Sequence, residues 1–136
     1  GIHAVYNIYN CTKICELFEY SREQSLTITW QIVYGDQLDP SQHNQQVRDL
    51  ALDEIQKFKT QYPFAKSDIS FFEGIERQLI LGNTGEATAH GKKPMSPDNI
   101  TRSKDFLQFT ADLENQWHPD QKGQFEKLWP EIAKAL

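Results

Sequence analysis

Apolar and polar positions recur along most of this chain with a helical period, and the pattern predicts helices almost throughout. Residues 3–20 place Val5, Ile8, Cys15 and Phe18 at helical spacing, with Glu16 and Glu19 elsewhere. Ser21 followed by Gln24 has the form of a capping box and predicts a second helix, which would stop at Gly35. That helix would contain residues 25–35, SLTITWQIVYG, the least polar run in the chain. Leu26, Ile28, Trp30, Ile32, Val33 and Tyr34 crowd into it without a charge between them. Burying such side chains is worth about 1.5–3 kcal/mol each, so the run is expected at the centre of the core. The same residues alternate as a strand would, with β-branched side chains that favour one locally. A strand needs a partner, however, and a lone hairpin is marginal in water. Residues 69–72 and 78–81 are the only other candidates, and both sit inside helical patterns. Helix is therefore the expectation, and a short strand at 26–34 the alternative.

Further along, Asp39-Pro40 marks a helix start, with Asp39 as cap, Pro40 in the first turn and Gln42 completing a capping box. Val47, Leu50, Ala51, Ile55, Phe58 and Tyr62 follow at helical spacing and end before Pro63. A helix from about Asp68 uses Phe72, Ile75 and Leu79 and ends at Gly82. Ser96-Pro97 opens another, with Phe106, Phe109, Leu113 and Trp117 on its buried face. The last starts near Pro119, carries Phe125, Trp129, Ile132 and Leu136, and must be kinked by Pro130. Residues 83–95 form the longest irregular segment, of the kind that often carries function. The expected fold is an all-α, compact, single-domain bundle of five to six helices over residues 1–136, or, if 26–34 is extended, an α+β fold.

Composition narrows the classes. A chain of 136 residues buries roughly two-thirds of its unfolded surface and needs no metal or disulfide to fold. Eight Phe, five Tyr and three Trp argue for a packed globule rather than a disordered segment. A net charge of −5 argues against a nucleic-acid partner, and no apolar run reaches the roughly 18 residues of a transmembrane segment. Gly1 in the first position, with Met95 the only methionine, leads to the expectation of an exported protein, secreted or periplasmic.

Charge is distributed unevenly. Lys92, Lys93, Arg102 and Lys104 fall within thirteen positions that hold a single acid, Asp98, so this region is +3 and the remainder −8. The two lysines precede the helix start at Ser96, where free backbone N–H groups favour anions, and His90 adds a donor. The region is expected to bind an anionic ligand, a phosphorylated small molecule or an anionic membrane head group, through His90, Lys92, Lys93, Ser96, Arg102 and Lys104; the plain alternative is a solvated basic loop. Residues 82–93 resemble a phosphate-binding loop only superficially. Gly85 and Gly91 have five residues between them where four are required, and Lys93 stands where the hydroxyl should be.

Other constellations are weaker. Cys11 and Cys15 would share a helical face, which permits a strained disulfide, although two small buried hydrophobes are the simpler reading. His3, His43, His90 and His118 show no ligand spacing, so no metal or other cofactor is expected. Asp53-Glu54 and Glu73 with Glu76 accompany Lys57 and Arg77 and read as helix-surface ion pairs. No serine-nucleophile elbow is present. Asn10-Cys11-Thr12 and Asn99-Ile100-Thr101 match the glycosylation pattern, which matters only in a eukaryotic secretory pathway. The expected function is a non-enzymatic anion-binding module. The alternative is a protein–protein interaction module, of the effector, inhibitor or immunity type, that uses its acidic surface.

Overall fold

A β–α–β unit takes the place of the two helices expected over residues 3–20 and from Ser21 onward. The structure, a computed structural model, describes residues 1–33, 37–81, 100–117 and 123–136. Strand β1 (Ile2–Tyr6) leads through a turn into helix α1 (Ile14–Glu23), and strand β2 (Ile28–Ile32) returns parallel to β1, with Ile2 opposite Ile28 and Tyr6 opposite Ile32. Val5, counted above as part of a helical stripe, is exposed between the buried Ala4 and Tyr6. Two asparagines prevent a helix from starting earlier. Asn10 Oδ1 accepts from the Asn7 N–H at 2.9 Å, Asn7 Oδ1 accepts from the Tyr9 N–H at 2.9 Å, and Asn10 Nδ2 donates to the Val5 carbonyl at 2.8 Å. Side chains of this kind satisfy the backbone in a turn and compete with helix.

Ser21 does not open a second helix. It lies inside α1, and its hydroxyl donates to the Phe18 carbonyl at 2.6 Å. The helix ends in a Schellman motif, in which Ser25 N–H donates to Arg22 O and Leu26 N–H to Ser21 O, with Ser25 in the left-handed region at φ 53°. Residues 28–32 then run as the strand that local propensity favours. The missing partner is residues 2–6. The run is also not the centre of the core. Ile28, Trp30 and Ile32 are half-buried and Leu26 is 40% exposed.

The centre is helix α2 (Gln45–Gln61), whose Val47, Ala51, Ile55 and Phe58 are fully buried beside Tyr6, Ile8, Ile14 and Phe72. Its apolar stripe and its end before Pro63 agree with the sequence pattern. Its start does not. Asp39-Pro40 opens a single 3-10 turn (Pro40–Gln42), where Asp39 accepts from the Ser41 N–H at 2.9 Å and from its hydroxyl at 2.7 Å. Asn44 caps α2 itself by accepting from the Val47 N–H at 3.0 Å, while its amide donates to the Ala135 carbonyl at 2.7 Å.

Helix α3 (Lys66–Leu81) packs on α2 and buries Phe72, Ile75 and Leu79 as expected. Helix α4 (Ile100–Trp117) presents Ser103, Phe106 and Thr110 inward, whereas Phe109 is half-buried and Leu113 is 37% exposed. The expected start of this helix at Ser96-Pro97 lies outside the described residues. Near the C-terminus, one kinked helix is replaced by two short ones, α5 (Gln124–Leu128) and α6 (Pro130–Ala135). Trp129 stands between them at φ −130°, ψ 61°, because a residue ahead of proline is driven out of the helical region, and Pro130 then takes the first position of α6. The fold is thus mostly helical with a two-stranded parallel sheet.

The left-handed Ser25 gives a direct test. Glycine adopts that conformation without the steric cost a Cβ incurs, so Ser25→Gly is expected to raise the unfolding free energy by about 1 kcal/mol in urea denaturation. Ser25→Val should lower it.

Candidate functional site

Of the six residues expected to bind an anion, His90, Lys92, Lys93 and Ser96 lie outside the described residues. Arg102 and Lys104 lie within the first five residues of α4. The Lys104 side chain is exposed and enters no ion pair among the described residues. Among these residues the ion pairs are Lys13–Glu16, Arg22–Glu19 and Lys59–Glu76, each at 3.5–3.7 Å. Glu76 also accepts from Gln56, so it joins α3 to α2, whereas Glu73, Lys57 and Arg77 enter no ion pair among the described residues.

The cysteines form no disulfide. Cys11 lies in the turn before α1 rather than on the helix, so the shared helical face on which a bridge depended does not exist. Both are buried free thiols, Cys11 donating to the Ile8 carbonyl at 3.4 Å and Cys15 to the Glu54 carbonyl at 4.0 Å. Glu54 performs a task the sequence did not disclose. Reaching from α2, its Oε1 accepts the Cys15 N–H at 3.1 Å and satisfies one of the donors at the start of α1, where Lys13 supplies no side-chain cap. Burial, with smaller effects from Glu54, pushes both thiols up to about 12. They are un-ionised at neutral pH and poorly suited to nucleophilic or metal-thiolate chemistry. Tyr6 is also held neutral, its hydroxyl buried without a hydrogen-bond partner and its pKa raised first by burial and then by Cys11, Asp39 and Glu54.

Two of the four histidines are described, in different settings, and His90 and His118 lie outside the described residues. His3 is exposed on β1, whereas His43 is buried, donates from Nε2 to the Gln37 carbonyl at 2.6 Å and stands edge-on to Phe106. Among the described residues no group of three or more His, Cys, Asp or Glu is placed to hold a metal, and no helix is long and apolar enough to cross a membrane. Asn10 has both ends of its amide engaged within the turn, so a glycan there would require that turn to open.

A concave feature does exist where no sequence motif pointed. The turn after β1, the middle of α4, α5 and Trp129 enclose a cleft of about 350 Å³. Its floor is aromatic. The Tyr9 ring lies 5.2 Å from Trp129 and 6.2 Å from Phe125, and Phe125 lies 5.9 Å from Trp129. The Tyr9 and Thr110 hydroxyls are 2.8 Å apart, joining two segments separated by 101 positions. Burial raises the Tyr9 phenol, the hydrogen bond with Thr110 partly offsets this, and the Glu114 charge adds a smaller rise, so the phenol is neutral in the physiological range. Leu113 and Gln124 form the walls with Glu114. The Glu114 carboxylate is held from both sides, Oε2 accepting the Gly123 N–H at 3.1 Å and Oε1 the Phe125 N–H at 2.9 Å. Gly123 presents its N–H from the left-handed region, at φ 82°, where a side chain would be strained. Of its lining, the sequence pattern shows Leu113, Phe125 and Trp129, as parts of core stripes. No protein-family model, curated protein or solved structure matches this chain.

The buried thiols make stability depend on pH with a definite sign. In the unfolded chain they ionise near their ordinary value of 9.0, in the folded protein near 12. Their contribution is therefore complete below pH 9 and is lost as pH rises toward 12. Tyr6, Tyr9 and Tyr62 are shifted in the same sense. Denaturant titrations from pH 7 to 11 should show stability falling above pH 9, with a shallower fall for Cys11→Ala/Cys15→Ala than for the natural sequence.

Proposed function

We propose that the protein is a non-catalytic binding module for an anionic ligand, either a phosphorylated small molecule or an anionic phospholipid head group, received by residues 90–104. One observation carries the reading: a chain of net charge −5 gathers a +3 region into thirteen positions and leaves −8 elsewhere. An anion approaching such a molecule is repelled by most of it and attracted at one place. The exposed Lys104, outside any ion pair among the described residues, is consistent with that role. Near an anionic membrane each cation is worth about 1 kcal/mol, so the patch provides weak, salt-sensitive attachment. A secreted or periplasmic location belongs to the same proposal.

A protein partner is the second reading, favoured by a cationic and aromatic pair outside residues 90–104. The Arg22 guanidinium lies 4.8 Å from the centre of the Phe64 ring, which is 57% exposed. Arginine and aromatic side chains are common anchors of protein interfaces.

Vesicle flotation with phosphatidylserine, together with calorimetry against an inositol phosphate, separates the two ligand sources. Lys92→Glu/Lys93→Glu and Lys104→Glu are each expected to weaken whichever interaction occurs, by about tenfold or more for the double variant. Unchanged binding in both variants would remove the basic region from the account and leave the second reading.

A further inference from the structure

The aromatic cleft has a chemical preference opposite to that of the basic region, and it stands on separate observations. At about 350 Å³ it falls within the size range of small-molecule sites. Tyr9, Phe125 and Trp129 supply an apolar floor, and the faces of such rings attract cations. Among the described residues that line it, Glu114 is the one acidic or basic side chain. No ion pair among the described residues engages that carboxylate. Its two bonds to backbone N–H groups fix its orientation without cancelling its charge, and a carboxylate retains further lone pairs for another contact.

These features discriminate among ligand classes. An anion would meet the carboxylate and the negative ring faces together. A wholly apolar molecule would fit the floor but set carbon against Glu114, removing water from a charge with nothing in return. A primary ammonium is compact and strongly hydrated, and would lose much of that hydration against the walls. An alkylated ammonium is large and weakly hydrated, and it presents carbon to the rings and positive charge to Glu114 at once. We infer that the cleft between α4 and α5 binds an alkylated organic ammonium ion carrying an apolar or aromatic body, with the body on Tyr9, Phe125 and Trp129 and the charge beside Glu114.

The test compares benzyltrimethylammonium with 2-methyl-1-phenyl-2-propanol, a near-isostere without the charge, by following the indole N–H resonance of Trp129 on titration of the intact protein. The ammonium ion should bind about tenfold more tightly than the alcohol, from ring and carboxylate contributions together. Glu114→Gln, which keeps an acceptor for one of the two N–H groups, should bring the ratio close to one by weakening the ammonium ion far more than the alcohol. Equal affinities in the natural protein, an undiminished ratio in a folded Glu114→Gln variant, or shifts that spare Trp129 would each overturn the assignment. So would failure of both compounds to bind up to their solubility limits. If the variant does not fold, the ratio in the natural protein and the location of the shifts decide the matter alone.

Discussion

Parallel pairing of β1 with β2 is the constraint on which the arrangement of the first half of the molecule depends. Parallel strands cannot be joined by a tight turn, so the chain must leave the sheet and return, and α1 makes that crossing. Two strands alone are marginal in water, which means the pair must be held from outside. Tyr6 and Trp30 supply this by lying against Phe72, at 6.2 Å and 4.9 Å, while the Trp30 indole donates to Asp68 at 2.9 Å. Glu54 ties the crossover helix to α2 through the Cys15 N–H. Sheet, crossover and the two longest helices of the first half are thereby one packed unit.

The second half attaches to that unit through α6 packed on α2 and through aromatic contact. Phe106 from α4 and Phe125 from α5 meet at 5.2 Å, and Tyr9 touches both. Asn44 joins α6 to the start of α2. The buried Arg48 reaches from α2 to the Leu79 carbonyl at 3.3 Å, close to the end of α3. Along α4, Lys104 and Glu114 are ten positions apart, about 15 Å by helical rise. One helix therefore carries a cation of the basic region near its start and the anionic wall of the aromatic cleft farther on, too far apart for one small ligand to span compactly.

How much of this was legible in the sequence depends on the range of the interaction responsible. The stripes of α2 and α3 and the stop before Pro63 arise from neighbours a few residues away, and they were legible; Pro130, expected to kink one helix, instead divides it into two. Residues 2–6 were misread because Val5 and Ile8 fit a helical period and the asparagine side chains that break it leave only a local polar signature. Residues 28–32 were misread because their strand partner lies 26 positions back, so local propensity was overruled for want of a mate that existed. The rotated face of α4 followed from the same limitation, since Thr110 faces inward to meet the Tyr9 hydroxyl, about a hundred positions away. The cleft, assembled from the turn after β1, α4, α5 and Trp129, left no contiguous trace. The charge asymmetry needed no fold to be seen.

The register of the sheet also bears on the sequence of events by which the chain reaches this state. Helices α2 and α3 are adjacent along the chain and draw mainly on nearby residues, so they can associate early. The strands cannot zip together from a turn, as a hairpin does, because their ends meet only once the intervening helix has docked. Loop closure across that span costs entropy before any ladder bond returns it. Sheet formation is therefore expected to follow helix docking in this half of the molecule, and Trp30, seated on Phe71 and Phe72, is the side chain whose environment would record it.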